Sequence, residues 1–373
     1  MRADKFKNTV EKILSLAGIK IKGNNPWDIT VHNKNFYYRV LTQSSLGLGE
    51  SYMNGWWDCE KLDEFFCRII RSQIENKVKQ NWILFFELLL ARIFNMQSKK
   101  RAFQIGEKHY DIGNELFKNM LDERMVYSCA CWEDAHTLDE AQENKLDLIC
   151  QKMGLQPGMK ILDIGCGWGS FAKYAAEKYK VKVTGITVSK EQVEFAGTLC
   201  KGLPVEIRLQ DYRNANGIFD RIVSLGMIEH VGYKNYRTYM KTAHNCLKDE
   251  GLFLLQMIGG NKSVTCIDPW INKYIFRNGV LPSIKQVGSA IEGLFVMEDW
   301  HNFSVNYDKT LITWYKNFDK NWDKIKSNYD ERFYRMWKYY LLSCAGSFRA
   351  REIQLWQIVL SKNGLPEGYR PIH

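Results

Sequence analysis

Asp163 stands at the end of the apolar run Met159 to Ile164, two residues before the first of three alternating glycines, Gly165, Gly167 and Gly169. Glycine suits such a turn because positive φ and close approach of a ligand to the backbone both exclude a Cβ. The spacing is G-x-G-x-G, whereas the dinucleotide fingerprint reads G-x-G-x-x-G and feeds a pyrophosphate onto a helix. A carboxylate at this point repels phosphate and attracts a cationic amino acid. The cofactor that fits is S-adenosylmethionine, whose ammonium and sulfonium are positive and whose ribose offers hydroxyls. Ile161, Leu162, Asp163, Ile164 and the three glycines are assigned to its site, together with Cys166 and Trp168, which shape the pocket between the glycines.

Such a loop works only if a strand delivers it and a helix receives it. Ser170 to Tyr179 carries the amphipathic pattern of that helix. From Lys160 onward strands alternate with helices: Lys160 to Asp163, Val181 to Ile186, Val205 to Leu209, Arg221 to Leu225 and Gly251 to Met257 read as strands. The fold class is therefore α/β, a doubly wound, mostly parallel sheet. A further helix from Leu138 to Met153 is started by Thr137 with Glu140 three residues on, a capping box. Ligands of these sheets bind at the carboxyl ends of the strands. After the second strand come Thr187, Val188, Ser189, Lys190, Glu191 and Gln192, where hydroxyls and an amide must serve the ribose in place of the usual acid. Asp211 and Tyr212 follow the third, suited to an adenine amino group and its face. After the fourth, Gly226 to Gly232 lacks the Asn/Asp-Pro-Pro-aromatic run of enzymes that methylate bases, which speaks against nucleic acid as partner.

The chain has 373 residues with 45% apolar and 25% charged, enough for two domains. Ten cysteines occur without a C-x-x-C, so neither a zinc site nor a secreted disulfide framework is indicated, and a reduced, cytoplasmic protein is expected. Met1 to Lys20 reads as an amphipathic helix on Val10, Ile13, Leu14, Ala17 and Ile19. It lacks the apolar core of a signal peptide. The longest apolar run, Trp82 to Phe94, is too short to span a bilayer and carries Glu87 and Arg92. Of the net charge of +10, +6 lies in the first hundred residues, which points to an anionic partner. Trp56, Trp57, Phe65, Phe66, Ile69, Ile70 and the 82–94 run interleave with Arg68, Arg71, Lys77 and Lys79, as in helices lying in a bilayer interface, with an ordinary helical core as the alternative. The expected division is a helical, membrane-facing domain 1–95, a basic linker 96–108 containing Gln97 to Arg101, and a catalytic domain 109–373. The aromatic part beyond Asp268 would add helices and strands over the ligand edge. His109, Tyr110 and Asp111 suit a lid or a capped helix entry.

Several longer motifs stand beside the cofactor turn: Gly47 to Trp57, His109 to Phe117, Tyr127 to Trp132, Leu162 to Gly169, Gly226 to Gly232 and Cys344 to Phe348. Together, over nearly the whole chain, they resemble bacterial cyclopropane-fatty-acyl-phospholipid synthases, of the mycolic acid cyclopropane synthase family. The resemblance implies a class I S-adenosylmethionine-dependent methyltransferase fold with a small helical N-terminal domain. It implies methylene transfer to the cis double bond of an unsaturated phospholipid acyl chain by a peripheral enzyme at the inner membrane face, a bound bicarbonate ion and a homodimer. It adds Tyr127 and Ser128 to the cofactor site. It assigns bicarbonate to Cys129, Glu229, Gln256, the backbone of Ile258, and Tyr307, and places Cys344 at the family's active-site cysteine.

The chemistry agrees with that assignment. An alkene is a feeble nucleophile, so it must be oriented against the sulfonium in a dry site. Aromatic faces can stabilise the resulting cation. Ring closure then needs a base, and a charged base in an apolar tunnel must be paired. Attack by an alkene requires no covalent enzyme intermediate, so Cys344 reads as a lining residue before a nucleophile. His230 is a second polar group beside Glu229 or a structural one. Gln256 departs from the family's histidine: an amide can donate a hydrogen bond but cannot relay a proton. Two rival readings are a methyltransferase acting without ring closure and a non-catalytic lipid-binding protein.

Overall fold

The computed structural model describes residues 2–74 and 113–373. The expected 96–108 linker, the apolar run 82–94, Lys77, Lys79 and the His109 to Asp111 segment lie outside the described residues. The chain forms two compact units, and their boundaries do not follow the linear division. The first joins Met1–Met120 to Asp268–Arg277 and Leu311–Glu352; the second holds Leu121–Ile267, Asn278–Thr310 and Ile353–His373.

The first unit is helical, with one small antiparallel ribbon of β1 (Ile29–Val31) and β2 (Trp57–Cys59). The helix Arg2–Ser15 realises the expected amphipathic pattern, since Val10, Leu14, Ala17 and Ile19 are all buried in or just after it. Trp57 is the centre of an aromatic core, its ring within 6.0 Å of those of Phe36, Tyr52 and Phe65. Trp57 and Phe65 are wholly buried, so these two side chains take the core alternative and are not presented to a bilayer. The long helix Glu331–Arg349 starts on an Asp330 cap, whose carboxylate accepts from Phe333 N at 2.8 Å. It packs on the helix Leu62–Arg71 so closely that a Cβ at Gly346 would run into the Asp63 carbonyl. Arg335 on the same helix donates to the carbonyls of Tyr52 and Trp57 and to Asp58, tying the ribbon to it.

The second unit is built on a seven-stranded sheet of β3 (Lys160–Ile164), β4 (Lys182–Thr187), β5 (Val205–Leu209), β6 (Phe219–Leu225), β7 (Leu247–Gly260), β8 (Val296–Asn302) and β9 (Ile353–Ser361). The order is β5-β4-β3-β6-β7-β9-β8, with the first five strands parallel and β9 antiparallel to both neighbours. Alternation along the strands separates two cores. Ile161, Val223, Leu252, Leu254 and Val359 pack against Leu146, Ile149, Phe171 and Ala175 from the helices Leu138–Lys152 and Ser170–Tyr179. Leu162, Ile222, Phe253, Leu255 and Ile358 face Tyr239, Met240 and Val287 on the other side. The five expected strands and the helix started by Thr137 are all present, the capping box included. Beyond Asp268 the strands β8 and β9 extend the sheet, whereas the helices Pro269–Tyr274 and Glu331–Arg349 belong to the first unit.

Candidate active site

Strand order reverses between β3 and β6, and the glycine loop leaves β3 at that switch point. Gly165 has φ +83° and Gly169 φ +84°. A Cβ at Gly165 would lie 2.7 Å from Met227 Cγ, and one at Gly169 2.9 Å from Ala196 Cβ, so both space and backbone conformation demand glycine. Asp163 is buried at the mouth of this loop, and its Oδ2 has no hydrogen-bond partner. Burial pushes its carboxyl up to about 7, against the pull of the Lys145 ammonium. A buried acceptor left open beside a backbone cradle fits the ammonium group of S-adenosylmethionine. After β4, Thr187 Oγ1 donates to Gln192 Oε1 at 2.6 Å and accepts from Ser189 N at 3.3 Å, while Ser189 caps the helix Lys190–Leu199 through Gln192 N. Val188 is largely exposed between them, and Lys190 and Glu191 occupy the first turn. After β5, Asp211 is held by a two-pronged pair with Arg213 at 2.9 and 2.7 Å, which keeps its carboxyl below the usual range. The Tyr212 ring is not an open face: it is buried edge-on against Tyr239, with centroids 5.1 Å apart.

The segment carrying Tyr127, Ser128 and Cys129 is fixed from two sides. The helix Leu138–Lys152 supplies Gln142, whose Nε2 donates to Val126 O at 3.3 Å and Ser128 O at 2.8 Å, and Lys145, whose Nζ donates to Ser128 Oγ at 3.1 Å. From the other side, Thr310 Oγ1 accepts from Ala130 N at 3.2 Å and from Trp132 Nε1 at 2.9 Å. Asn306 Oδ1 accepts from Trp132 N at 2.7 Å. Tyr307 follows Asn306 on the helix Ser304–Lys320, within one turn of the residues that anchor the Cys129 segment. The Cys129 thiol is wholly buried and raised well above its ordinary value by desolvation, so it is a neutral thiol.

Glu229, Gln256 and Ile258 form a second group. Glu229 sits in the short turn Ile228–His230 after β6, and its Oε1 accepts from Ile258 N at 2.6 Å. That amide is thus spent on Glu229. Glu229 Oε2 is buried without a partner, and desolvation pushes the carboxyl up to about 7. Burial keeps His230 below its ordinary value, hence neutral at pH 7. Gln256 and Ile258 share one face of β7. Gln256 Oε1 accepts from Gln357 Nε2 at 3.0 Å across the β7–β9 pair, which leaves Gln256 Nε2 and Gln357 Oε1 buried and unpartnered. These open atoms fit a small oxyanion that can both donate and accept, as bicarbonate does. Cys344 lies in the first unit, on the helix Glu331–Arg349, where burial and the nearby Asp268 push its thiol up to about 12. It is a thiol at neutral pH, and a cysteine nucleophile needs the thiolate. Sequence reasoning missed Gln357, Lys145, Gln142 and Thr310; only the i, i+3 pairing of polar Gln142 and Lys145 on an otherwise apolar helix face was there to be seen.

A family model described as mycolic acid cyclopropane synthetase matches residues 97–358. The chain is 54% identical over 367 residues to the cyclopropane-fatty-acyl-phospholipid synthase of Escherichia coli, covering 98% of this chain and 96% of that one. It is 36% identical over 268 residues, 68% of each chain, to a probable fatty acid methyltransferase of Pseudomonas putida. Among solved structures, the cyclopropane synthase MmaA2 from Mycobacterium tuberculosis aligns with TM-score 0.64 at 31% identity over 68% of this chain and 96% of that one. The mycolic acid cyclopropane synthase CmaA1, solved with SAH and CTAB, aligns with TM-score 0.63 at 33% identity over the same shares. The glycine cradle, the buried acids near the end of β3 and after β6 and these matches lead to one assignment: the chain belongs to the mycolic acid cyclopropane synthetase family.

Proposed function

We propose that the protein transfers a methylene group from S-adenosylmethionine to the cis double bond of unsaturated acyl chains in membrane phospholipids, forming cyclopropane fatty acids. The observation that carries this reading is the set of buried, unpartnered polar atoms at the carboxyl ends of the strands: Asp163 Oδ2, Glu229 Oε2 and Gln256 Nε2. When bound, the cofactor supplies an electrophilic methyl and bicarbonate supplies a base. Asp163 holds the cofactor ammonium at the glycine loop, and Thr187, Ser189 and Gln192 offer their polar atoms to its ribose. Glu229 accepts the hydrogen of the anion and Gln256 donates to one of its oxygens, with Tyr307 and the Cys129 segment closing the site. Cys344 contributes packing and substrate contact, because its protonated thiol suits no nucleophilic step. A membrane-facing role for the first unit, attachment at the inner membrane face and homodimerisation belong to this proposal on the family relationship and the basic first hundred residues.

A second reading is favoured by one observation, the amide at 256, where the resemblance read from the sequence implies a histidine. If the new methyl keeps its protons and the cation instead loses one from a neighbouring chain carbon, the product is a methylated alkene without a ring. Purified protein incubated with unsaturated phospholipid vesicles, methyl-labelled S-adenosylmethionine and bicarbonate, followed by mass spectrometry of the released fatty acids, separates the readings. A labelled, methylene-extended chain that resists hydrogenation as an alkene supports the synthase. A labelled but still unsaturated chain supports the second reading, and unlabelled lipid despite cofactor binding overturns both.

A further inference from the structure

Lysine is seldom wholly buried, because an ammonium removed from water is costly unless it is paired or hydrogen-bonded. Lys145 is fully buried on the helix Leu138–Lys152, with its Nζ on Ser128 Oγ at 3.1 Å. The alternation of β3 shows what else it meets. Ile161 packs against Leu146 and Ile149 of that helix, and Asp163, two residues on, points to the same face of the sheet. Asp122 is buried at the start of the segment that carries Ser128, its Oδ1 accepting from Val126 N at 2.9 Å and its Oδ2 from Arg124 N at 3.0 Å.

We infer that Lys145 is a positioning residue of the cofactor site, the internal cation that keeps Asp163 ionised to receive a cationic amino group while fixing Ser128. The inference rests on the S-adenosylmethionine reading of the glycine loop. The other titratable groups that feel Lys145 or Asp163 are Cys129, Cys166, Cys200 and Tyr239, and burial raises all four, so they are neutral near pH 7. One ammonium, itself lowered by burial to about 8 and so losing its charge only at the alkaline end, therefore faces two carboxylates, Asp122 and Asp163. Both acids are raised by burial and pulled back by Lys145. Gln142, one turn earlier and equally buried, holds the backbone of the same segment, so the helix supplies separate residues for geometry and for charge.

The sign of the effect follows. Asp163 must be ionised to bind an ammonium, so affinity falls as pH drops through its titration, by about tenfold per pH unit below the midpoint. Without Lys145 the carboxylate loses its compensating charge and the midpoint moves up. Without Asp122 the whole charge of Lys145 is left to Asp163 and the midpoint moves down. Titration calorimetry of the full chain with S-adenosylhomocysteine between about pH 5.5 and 8.5 tests this in wild type, Lys145→Met, Lys145→Arg and Asp122→Asn. We expect Lys145→Met to shift the midpoint up by about one unit or more, weakening binding at pH 7 roughly tenfold while approaching wild type at the alkaline end. Lys145→Arg should stay near wild type, and Asp122→Asn should extend tight binding to lower pH, an arm that survives if Lys145→Met does not fold. Unshifted midpoints in the variants, or a loss in Lys145→Met that is the same at every pH, overturn the inference alone. A wild-type chain that fails to bind, or binds without pH dependence, overturns the glycine-loop reading and this inference with it.

Discussion

At the scale of single residues, buried acids set both the chemistry and its cost. Glu229 has an ordinary carboxyl value of 4.5 and is raised to about 7 by burial, with the Ile258 amide pulling the other way. The native state thus holds this proton more tightly than the unfolded chain does. Its stabilising contribution is complete below the ordinary value and is lost as pH rises through about 7. At pH 8 the ionised group costs on the order of 3 kcal/mol in the cofactor-free protein. Glu229→Gln should therefore raise the thermal midpoint at pH 8, leave it unchanged near pH 4, and abolish methylene transfer; an unchanged midpoint at pH 8 would show that the carboxylate is not desolvated. The pair of Gln256 and Gln357 leads to a different test. Held by Gln357, the Gln256 amide keeps one open donor, and Glu229 Oε2 is the open acceptor; together they suit an anion with both an O–H and bare oxygens, whereas nitrate has no hydrogen to give. Bicarbonate should stabilise the protein where equal nitrate does not, and Gln357→Leu should weaken the bicarbonate effect about tenfold, the worth of one hydrogen bond, with S-adenosylhomocysteine affinity unaltered. Equal competition by nitrate would end this account. Asp163 and Glu229 could be read from the sequence because one lies near the carboxyl end of a strand and the other in the turn shortly after one. Gln357 could not, since it lies 101 residues beyond its partner and only the β7–β9 register places the two amides side by side.

Elements were legible where local chemistry and periodicity agreed. Thr137 and Glu140 announce a helix start whose reciprocal hydrogen bonds are present, at 3.2 Å from Glu140 N to Thr137 Oγ1 and 3.1 Å from Thr137 N to Glu140 Oε2. The cap secures the first turn of the helix that carries Gln142 and Lys145, so Thr137→Ala should cost about 1 kcal/mol and be read as a lower denaturation midpoint with cofactor affinity little changed. The glycine loop permits a sharper comparison among its own members. Gly165→Ala meets Met227 and a left-handed backbone together, whereas Gly167→Ala, at φ +55°, meets open space. The first should abolish S-adenosylhomocysteine binding and cost roughly 2 kcal/mol or more, the second only about 1 kcal/mol; equal effects would mean that backbone conformation alone matters at this turn. What periodicity could not reveal is neighbourhood. The β9 segment is buried almost throughout, without the alternation of a half-exposed strand, and nothing local says that it enters between β7 and β8 antiparallel to both.

For the whole molecule, charge and partition matter most. Among the described residues no helix is long and apolar enough to cross a membrane. The interfacial pattern read in residues 56–70 is partly a core pattern, since Trp57 and Phe65 are enclosed while Phe66, Ile69 and Ile70 stay half-buried. Local sequence cannot tell these cases apart, because an aromatic run looks the same whether it meets lipid or a helix from residues 331–349. If the basic excess guides docking, binding to vesicles containing anionic phospholipid should weaken steeply as salt is raised through the physiological range. Salt-insensitive binding would leave apolar contact as the attachment.

The first unit is completed by residues 311–352. On a ribosome, which delivers the chain from its N-terminus, Trp57, Phe65 and the ribbon they support emerge long before the helix Glu331–Arg349 that covers them. Nearly the entire catalytic sheet is synthesised in the interval. The nascent first unit must therefore wait with an apolar face uncovered, while the sheet of the second lacks only β9 until residues 353–361 are made. Chains stalled or truncated before residue 331 should engage chaperones or aggregate through this early segment, however well their cofactor loop is formed.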